Sequence, residues 1–216
     1  MMDKKINILT RTSNRPKAFS ICQDSIKNQT YKNIHHIVSY DNYNDYDSYI
    51  SNYDNITKIK VDRELLINND KSSNPNTGPY SPHNLYCNEL LNSVEDGYIM
   101  FLDDDTMLIN DSVIEEIVPH LSEDNIVIWK IKFPINHNNL IVPRDNEKFT
   151  GPTLFDIDTA CFMVHIKHAK KFKWDSWKCA DFRYIKKLCN EINNVKWLNK
   201  VMVQLNGVGY GNRKDI

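Results

Sequence analysis

Apolar and polar positions along this chain fall into short blocks that switch between two periodicities. Ile6 to Thr10 (INILT) is an apolar run suited to a buried strand, and Asn14-Arg15-Pro16 follows it. Proline is favoured at the first helical position, with Asn14 or Ser13 as the cap. Phe19, Cys22 and Ile26 then recur at helical spacing to about Asn28. Ile34 to Tyr40 (IHHIVSY) predicts a second strand ending at Asp41, and Ile56 to Val61 alternates as a third. The polar, Tyr-rich stretch between them has room for a short helix. Residues 62–82, with Pro75, Gly78, Pro79 and Pro82 as breakers, predict the longest loop.

Cys87, Leu90, Leu91 and Val94 share one face of a further helix. Tyr98 to Leu102 (YIMFL), unbroken and apolar, predicts a central strand buried on both faces. Ser112 and Glu115 have capping-box spacing before an apolar stripe reaching Leu121, and Pro119 should bend or shorten that helix. Beyond it, strands are expected over Ile126–Phe133, Thr159–His165 and Val195–Leu205, with a strong helix over Asp181–Asn193. No internal repeat or linker divides the chain, so one domain is expected. Strands alternating with helices argue for a mainly parallel α/β sheet, with a more mixed second half.

Composition narrows the function. The 216 residues carry a formal net charge of -1, which removes the electrostatic argument for nucleic acid. No run approaches the roughly 20 apolar residues that span a bilayer, and the N-terminus enters a strand without an apolar signal region. The odd set of five cysteines contains no CxxC pair and reads as reduced thiols of a cytoplasmic protein. Only Gly78, Gly97 and Gly151 precede residue 207, which excludes a P-loop and a GxGxxG fingerprint.

The sharpest chemical feature is Asp103-Asp104-Asp105, directly after the apolar strand. Ligands of open α/β sheets collect at the carboxyl ends of strands. Three adjacent carboxylates repel one another, and a hard divalent cation, Mg²⁺ or Mn²⁺, relieves that repulsion. The competing reading is a solvated acidic loop. Asp41 ends a strand and Asp181 opens a helix; read singly, the first suits a turn and the second a helix cap. His35 and His36 point to opposite strand faces and do not suit one metal. Trp174 and Trp177 flank Asp175 and suit either core packing or stacking on a sugar ring.

The order of these segments resembles a known family. ILTRTSNRPKAFSICQDSIKNQTYKNIHHIVSYDN is similar to the nucleoside-binding opening of GT-A-fold glycosyltransferases, close to family two. LYCNELLNSVEDGYIMFLDDDT is similar to that family's Asn-bearing helix, turn, strand and DxD signature. The likeness is strong over 6–41 and 84–106, thin from 107 to 176, and returns weakly at WKCADF. It implies a Rossmann-like, mixed, mainly parallel sheet flanked by helices, with a nucleotide-binding half over about 1–106 and an acceptor half over about 107–216.

The same resemblance implies roles. Thr10 and Arg11 would contact the nucleoside, with Arg15 a further candidate. Asp41 would accept from the base, and Asp103 would lie against the ribose or a metal-bound water. Asp105 would coordinate Mn²⁺ or Mg²⁺ bridging the donor diphosphate, with Asp104 assisting. Asp181 would be the catalytic base of an inverting transfer from a UDP-sugar to an acceptor hydroxyl, on a glycan, protein or lipid carrier. Two departures stand out: Ala180 sits where relatives carry Glu, leaving Asp175 and Asp158 as alternatives to Asp181, and no His follows His168 as a further ligand. Apart from the resemblance, the tail from Asn206 to Asn212, with three glycines, reads either as a frayed C-terminal end or as a flap over the donor. Rival readings are a non-catalytic nucleotide- or carbohydrate-binding module, a haloacid dehalogenase-type phosphatase, whose motif would need Thr or Val at Met107, and a sugar-nucleotide pyrophosphorylase, whose Gly-rich loop is missing.

Overall fold

The computed structural model describes residues 3–134 and 139–208. Strand β1 (Ile6–Arg11) leads to α1 (Pro16–Lys27), β2 (Ile34–Tyr40), α2 (Tyr43–Ser48), β3 (Ile56–Lys60), α3 (Arg63–Asn69), α4 (Tyr86–Asn92) and β4 (Tyr98–Phe101). Then come β5 (Thr106–Leu108), α5 (Val113–Ile117), β6 (Ile126–Lys132), β7 (Ile141–Val142), β8 (Phe162–His165), α6 (Ile166–Ala169), α7 (Ala180–Ile192) and β9 (Val195–Leu205). The strands form one sheet in the order β3-β2-β1-β4-β8-β6-β9-β5, with β7 paired to β6.

The first four strands in that order are all parallel. Parallel strands are covered on both faces, which is why β1 and β4 are buried at nearly every position. Phe19, Cys22 and Ile26 of α1 and Cys87, Leu90 and Leu91 of α4 supply the cover. Because the strands run the same way, Arg11, Asp41 and the aspartates after β4 all emerge at one edge of the sheet. Gly97 makes the turn into β4 at φ +93°, where a Cβ would lie 2.5 Å from the Lys5 carbonyl oxygen.

The second half is mixed. Strand β8 runs antiparallel to β4 and β6, whereas β9 is parallel to β6 and antiparallel to β5. The pairing of Thr106 with Leu205 carries the end of β9 back to the aspartates. There the Asn206 amide N–H donates to the Asp105 carbonyl (2.8 Å), and its side chain donates to the carbonyls of Asp104 (3.1 Å) and Ala18 (3.0 Å). The rest of the expected tail flap, Gly209 to Asn212, lies outside the described residues. Trp174 stacks on Tyr184 at 4.6 Å and meets Phe101 at 5.0 Å, joining α7 to the sheet as core. Trp177 instead packs its edge against Tyr80.

Several local expectations are corrected. The loop over 62–82 contains α3, started by Asp62, whose carboxylate accepts from the Leu65 N–H at 3.0 Å. No α3 residue is buried, so no apolar stripe announced it. Neither Ser13 nor Asn14 caps α1; Arg15 holds the cap position, its side chain makes no capping hydrogen bond, and Asn14 turns the chain at φ +54°. The Ser112–Glu115 capping box does not form: the Ser112 hydroxyl bonds Asn110 and Glu116, while Glu115 accepts from Thr30. As expected, Pro119 shortens the helix, leaving a short 3₁₀ turn over Val118–His120. The strand expected from Thr159 starts only at Phe162, because Asp158 turns the chain by accepting from the N–H groups of Ala160 and Cys161. Strands β5 and β7, three and two residues long, are too short to show a period.

All five cysteines are free thiols, with Cys22, Cys87 and Cys161 buried. Among the described residues, no helix is long and apolar enough to cross a membrane.

Candidate active site

The site grows from the ends of β1 and β4. Thr10 is fully buried, donating to the Leu102 carbonyl at 2.7 Å and meeting His36 Nε2 at 2.9 Å. On the other side of the His36 ring, Nδ1 lies 2.5 Å from Gln23 Oε1. Burial keeps His36 neutral, pushing its pKa down to about 3. The hydroxyl of Thr10 is thus engaged inside the sheet, where it fixes the two strand ends.

Arg11, one residue on, clamps Asp103 with two hydrogen bonds, Nε to Oδ1 at 2.8 Å and Nη2 to Oδ2 at 2.5 Å. Its Nη1 reaches the His83 carbonyl (3.3 Å) and the Asn84 side chain (3.1 Å). Asn84 in turn donates to the Trp177 carbonyl at 3.0 Å, joining the β1–β4 edge to the segment that leads into α7. Burial opposes the charge on Arg11, but Asp103 outweighs it and raises the arginine's pKa. Asp103 stays below the usual carboxylate range; burial pushes it up, and Arg11 more than reverses that.

The loop between β1 and α1 contains no glycine. It is held by buried Asp45, whose carboxylate accepts the Asn14 N–H at 3.0 and 3.1 Å and the Asn42 amide at 2.7 Å. This places Arg15 so that Nη1 bridges Asp104 Oδ1 (2.9 Å) and Asp105 Oδ2 (3.1 Å). Burial nonetheless pushes Asp104 and Asp105 up to about 7, with neighbouring aspartates adding to the effect.

Asp181 lies in the first turn of α7, accepting the Phe182 N–H at 2.8 Å, and burial pushes it up to about 6. Asp158 is pushed up to about 7 by burial and by the facing charge of Asp181, with Asp103 a weaker contributor. These mutual effects put both carboxyls in the electrostatic field of Asp103 and Arg11. Asp175 is placed differently: both its oxygens accept from Arg183, at 2.5 and 2.7 Å, and one also accepts the Trp177 N–H. Asp41 sits farther along the edge, its Oδ2 accepting from Tyr86 at 2.7 Å and its Oδ1 from Asn42 at 3.0 Å, with Arg63 3.8 Å from Oδ2.

The structure therefore gathers Arg11, Arg15, Asp103, Asp104, Asp105, Asp158 and Asp181, and turns Asp175 into a structural clamp. Sequence reasoning missed His83 and Asn84. Both stand in the 3₁₀ turn Pro82–Leu85, and the only signal was a polar pair between a proline and an apolar helix face. Burial beside Arg11 pushes His83 down to about 4.

Five carboxyls thus face two guanidinium groups. Among the described residues no three His, Cys, Asp or Glu side chains are arranged to hold a metal ion by themselves. The donor set does fit a hard cation held by one or two carboxylates together with ligand phosphates. Asp105 suits this best, since its Oδ1 makes one long contact among the described residues, to the Thr106 hydroxyl at 3.4 Å.

No family model and no curated protein matches the sequence. Solved structures do match in fold. The S. aureus TarS 1-349 complex with UDP-GlcNAc superposes with a TM-score of 0.66 at 17% identity, covering 93% of this chain and 58% of that one. The mannosyltransferase PcManGT from Pyrobaculum calidifontis, in complex with GDP-Man and Mn²⁺, gives 0.61 at 12% identity, covering 96% and 58%. A 4-diphosphocytidyl-2C-methyl-D-erythritol synthase from Anaerococcus prevotii gives 0.53 at 14%, covering 91% and 87%. The chain spans less than two thirds of the length of the first two. It has the GT-A fold of these glycosyltransferases.

Proposed function

We propose that this chain is a nucleotide-sugar glycosyltransferase that moves a sugar from a UDP-sugar to an acceptor hydroxyl with inversion, with residues 1–106 holding the donor and 107–216 the acceptor. The observation that carries this reading is the meeting of Arg11, Arg15 and Asp103–Asp105 with Asp181 from α7 at one edge of a GT-A sheet. The solved neighbours that hold UDP-GlcNAc or GDP-Man with Mn²⁺ support the donor class. The loop from Arg11 to Arg15, built without glycine, disfavours the sugar-nucleotide pyrophosphorylase alternative.

Asp41 is assigned to the uracil edge, Asp103 and Arg11 to the ribose, and Arg15 to the diphosphate. Asp105, assisted by Asp103 and Asp104, would hold Mn²⁺ or Mg²⁺. When bound, such a cation stabilises the charge that develops on the leaving diphosphate. Thr10 acts by fixing the strand ends. Asp181 takes the proton of the acceptor hydroxyl as its oxygen bonds the anomeric carbon and the bond to the diphosphate breaks. With its pKa raised to about 6, Asp181 is ionised at neutral pH and still a better base than an ordinary aspartate.

The test is a donor screen on the purified protein. Release of nucleotide from UDP- and GDP-sugars is followed with Mn²⁺, with Mg²⁺ and with EDTA, beside Asp105→Ala. Slow hydrolysis of one UDP-sugar that EDTA and the substitution both abolish is the expected result. Absence of binding to every nucleotide with either metal overturns the proposal.

A further inference from the structure

We infer that Arg183 is a positioning residue for Asp181: its guanidinium ties the start of α7 to residues 175–178 and to Thr77, and so fixes where the Asp181 carboxyl stands. The inference rests on the base assigned above and adds the device that holds it.

Helix α7 begins without the usual supports. Cys179 holds the cap position in the left-handed region, at φ +62°, and makes no side-chain capping bond. That backbone is costly for a residue with a Cβ. Asp181 follows two residues later, so any relaxation at Cys179 swings its carboxyl. Among the described residues that carboxylate takes one hydrogen bond, from the Phe182 N–H in its own turn at 2.8 Å. Its place is therefore set by the backbone at the helix start.

Arg183, the fourth residue of α7, reaches back over this start. Its Nε and Nη2 donate to the two oxygens of Asp175 at 2.7 and 2.5 Å. Nη2 also reaches the Trp177 carbonyl (3.0 Å), and Nη1 the Lys178 carbonyl (3.0 Å) and the Thr77 hydroxyl (2.6 Å). Thr77 donates its own proton to the same Lys178 carbonyl at 2.7 Å. The planar fork thus fixes the carbonyls of both residues ahead of Cys179. A cation this near a helix N-terminus opposes the helix dipole, so helix stability alone would not place it there. Residues 79–81 hold the same segment from the other side, through Ser81 N–H to the Ser176 carbonyl (2.6 Å) and Lys178 N–H to the Pro79 carbonyl (3.0 Å). That strap stops at Lys178, and the Arg183 side chain carries the connection across the left-handed turn to α7.

The experiment compares the native protein with Arg183→Gln, Arg183→Lys and Thr77→Val. Protection of the Phe182 N–H against hydrogen exchange, which reports its bond to Asp181, is measured relative to Leu188, deeper in the same helix. UDP-sugar hydrolysis is followed beside it. Arg183→Gln is expected to lower the relative protection on the order of tenfold. Turnover should fall about 10–100-fold while the donor KM stays within a few-fold of native. Lysine keeps the charge but cannot serve four partners in one plane, so Arg183→Lys should show the same split. Thr77→Val leaves the Asp175 pair intact and should move both readouts the same way by a few-fold, which keeps the test decisive if the Arg183 variants do not fold. A side chain that only stabilises the fold would lower the protection of Phe182 and Leu188 together and leave turnover of the folded variants at the native level; either result overturns the inference. If the native protein hydrolyses no UDP-sugar, the donor reading fails instead, and the exchange comparison, which needs no substrate, still decides whether Arg183 holds Asp181.

Discussion

Asp104 gives the most direct stability prediction. Its side chain is only 4% exposed, and burial raises its pKa from 3.8 to about 7 despite Arg15. Between those values the native state holds a proton that the unfolded chain has released. Stability must therefore fall as pH rises through this window. The part of this cost that develops from about pH 5 to about pH 8 is roughly 2–3 kcal/mol, at about 1.4 kcal/mol for each pH unit crossed inside the window.

Asp104→Asn removes the titration and keeps an oxygen for Arg15. At about pH 5 both the carboxyl and the amide are uncharged, and exchanging the carboxyl OH for an amide NH₂ costs up to about 1 kcal/mol, a cost independent of pH. The variant should thus be near-neutral or slightly destabilised at about pH 5, and more stable than the native protein by roughly 1–2 kcal/mol at about pH 8. Urea unfolding with EDTA present, comparing midpoints at constant slope, measures the difference. An equal stability gap at the two pH values, or a wider deficit of the variant at the higher one, would refute the reasoning.

Two further outcomes follow from other parts of the molecule. Asp181→Asn should lower turnover by about 10²–10⁴-fold while UDP affinity stays within a few-fold, and the native turnover should fall as pH drops below about 6, where the raised carboxyl takes up its proton; a pH profile flat to about pH 5 contradicts the assignment. Gly97→Ala should cost about 1–3 kcal/mol, because its Cβ meets the Lys5 carbonyl at 2.5 Å on a left-handed backbone, and a melting temperature within a degree of native would show that the turn relaxes.

The chain's own pattern determined the parallel half of the fold. The segments from Ile6, Ile34 and Tyr98 can satisfy their backbone and bury both faces only inside a covered sheet, and β2 came out at Ile34–Tyr40 as expected. The aspartates following Leu102 were legible for the same reason: a parallel strand ends where ligands gather. Local caps were less legible. Ser112 and Glu115 had the spacing of a capping box, yet Asn110 and Thr30 offered better partners. Helix α3 rests on one Asp62 cap and buries nothing, so it left no period to find.

What only the tertiary structure decided is which charges meet. No spacing distinguishes Asp158 and Asp181, which stay at the site with raised pKa values, from Asp175, which Arg183 of α7 clamps through both oxygens. Arg11 and Arg15, four residues apart, take different aspartates because Asp45 bends the loop between them. His83 and Asn84 join the site through contacts that cross more than seventy residues of sequence. Hydrophobic periodicity is a local property and survives in the one-dimensional text. Coulomb energy and desolvation depend on distance and on water, and both exist only once the chain has closed.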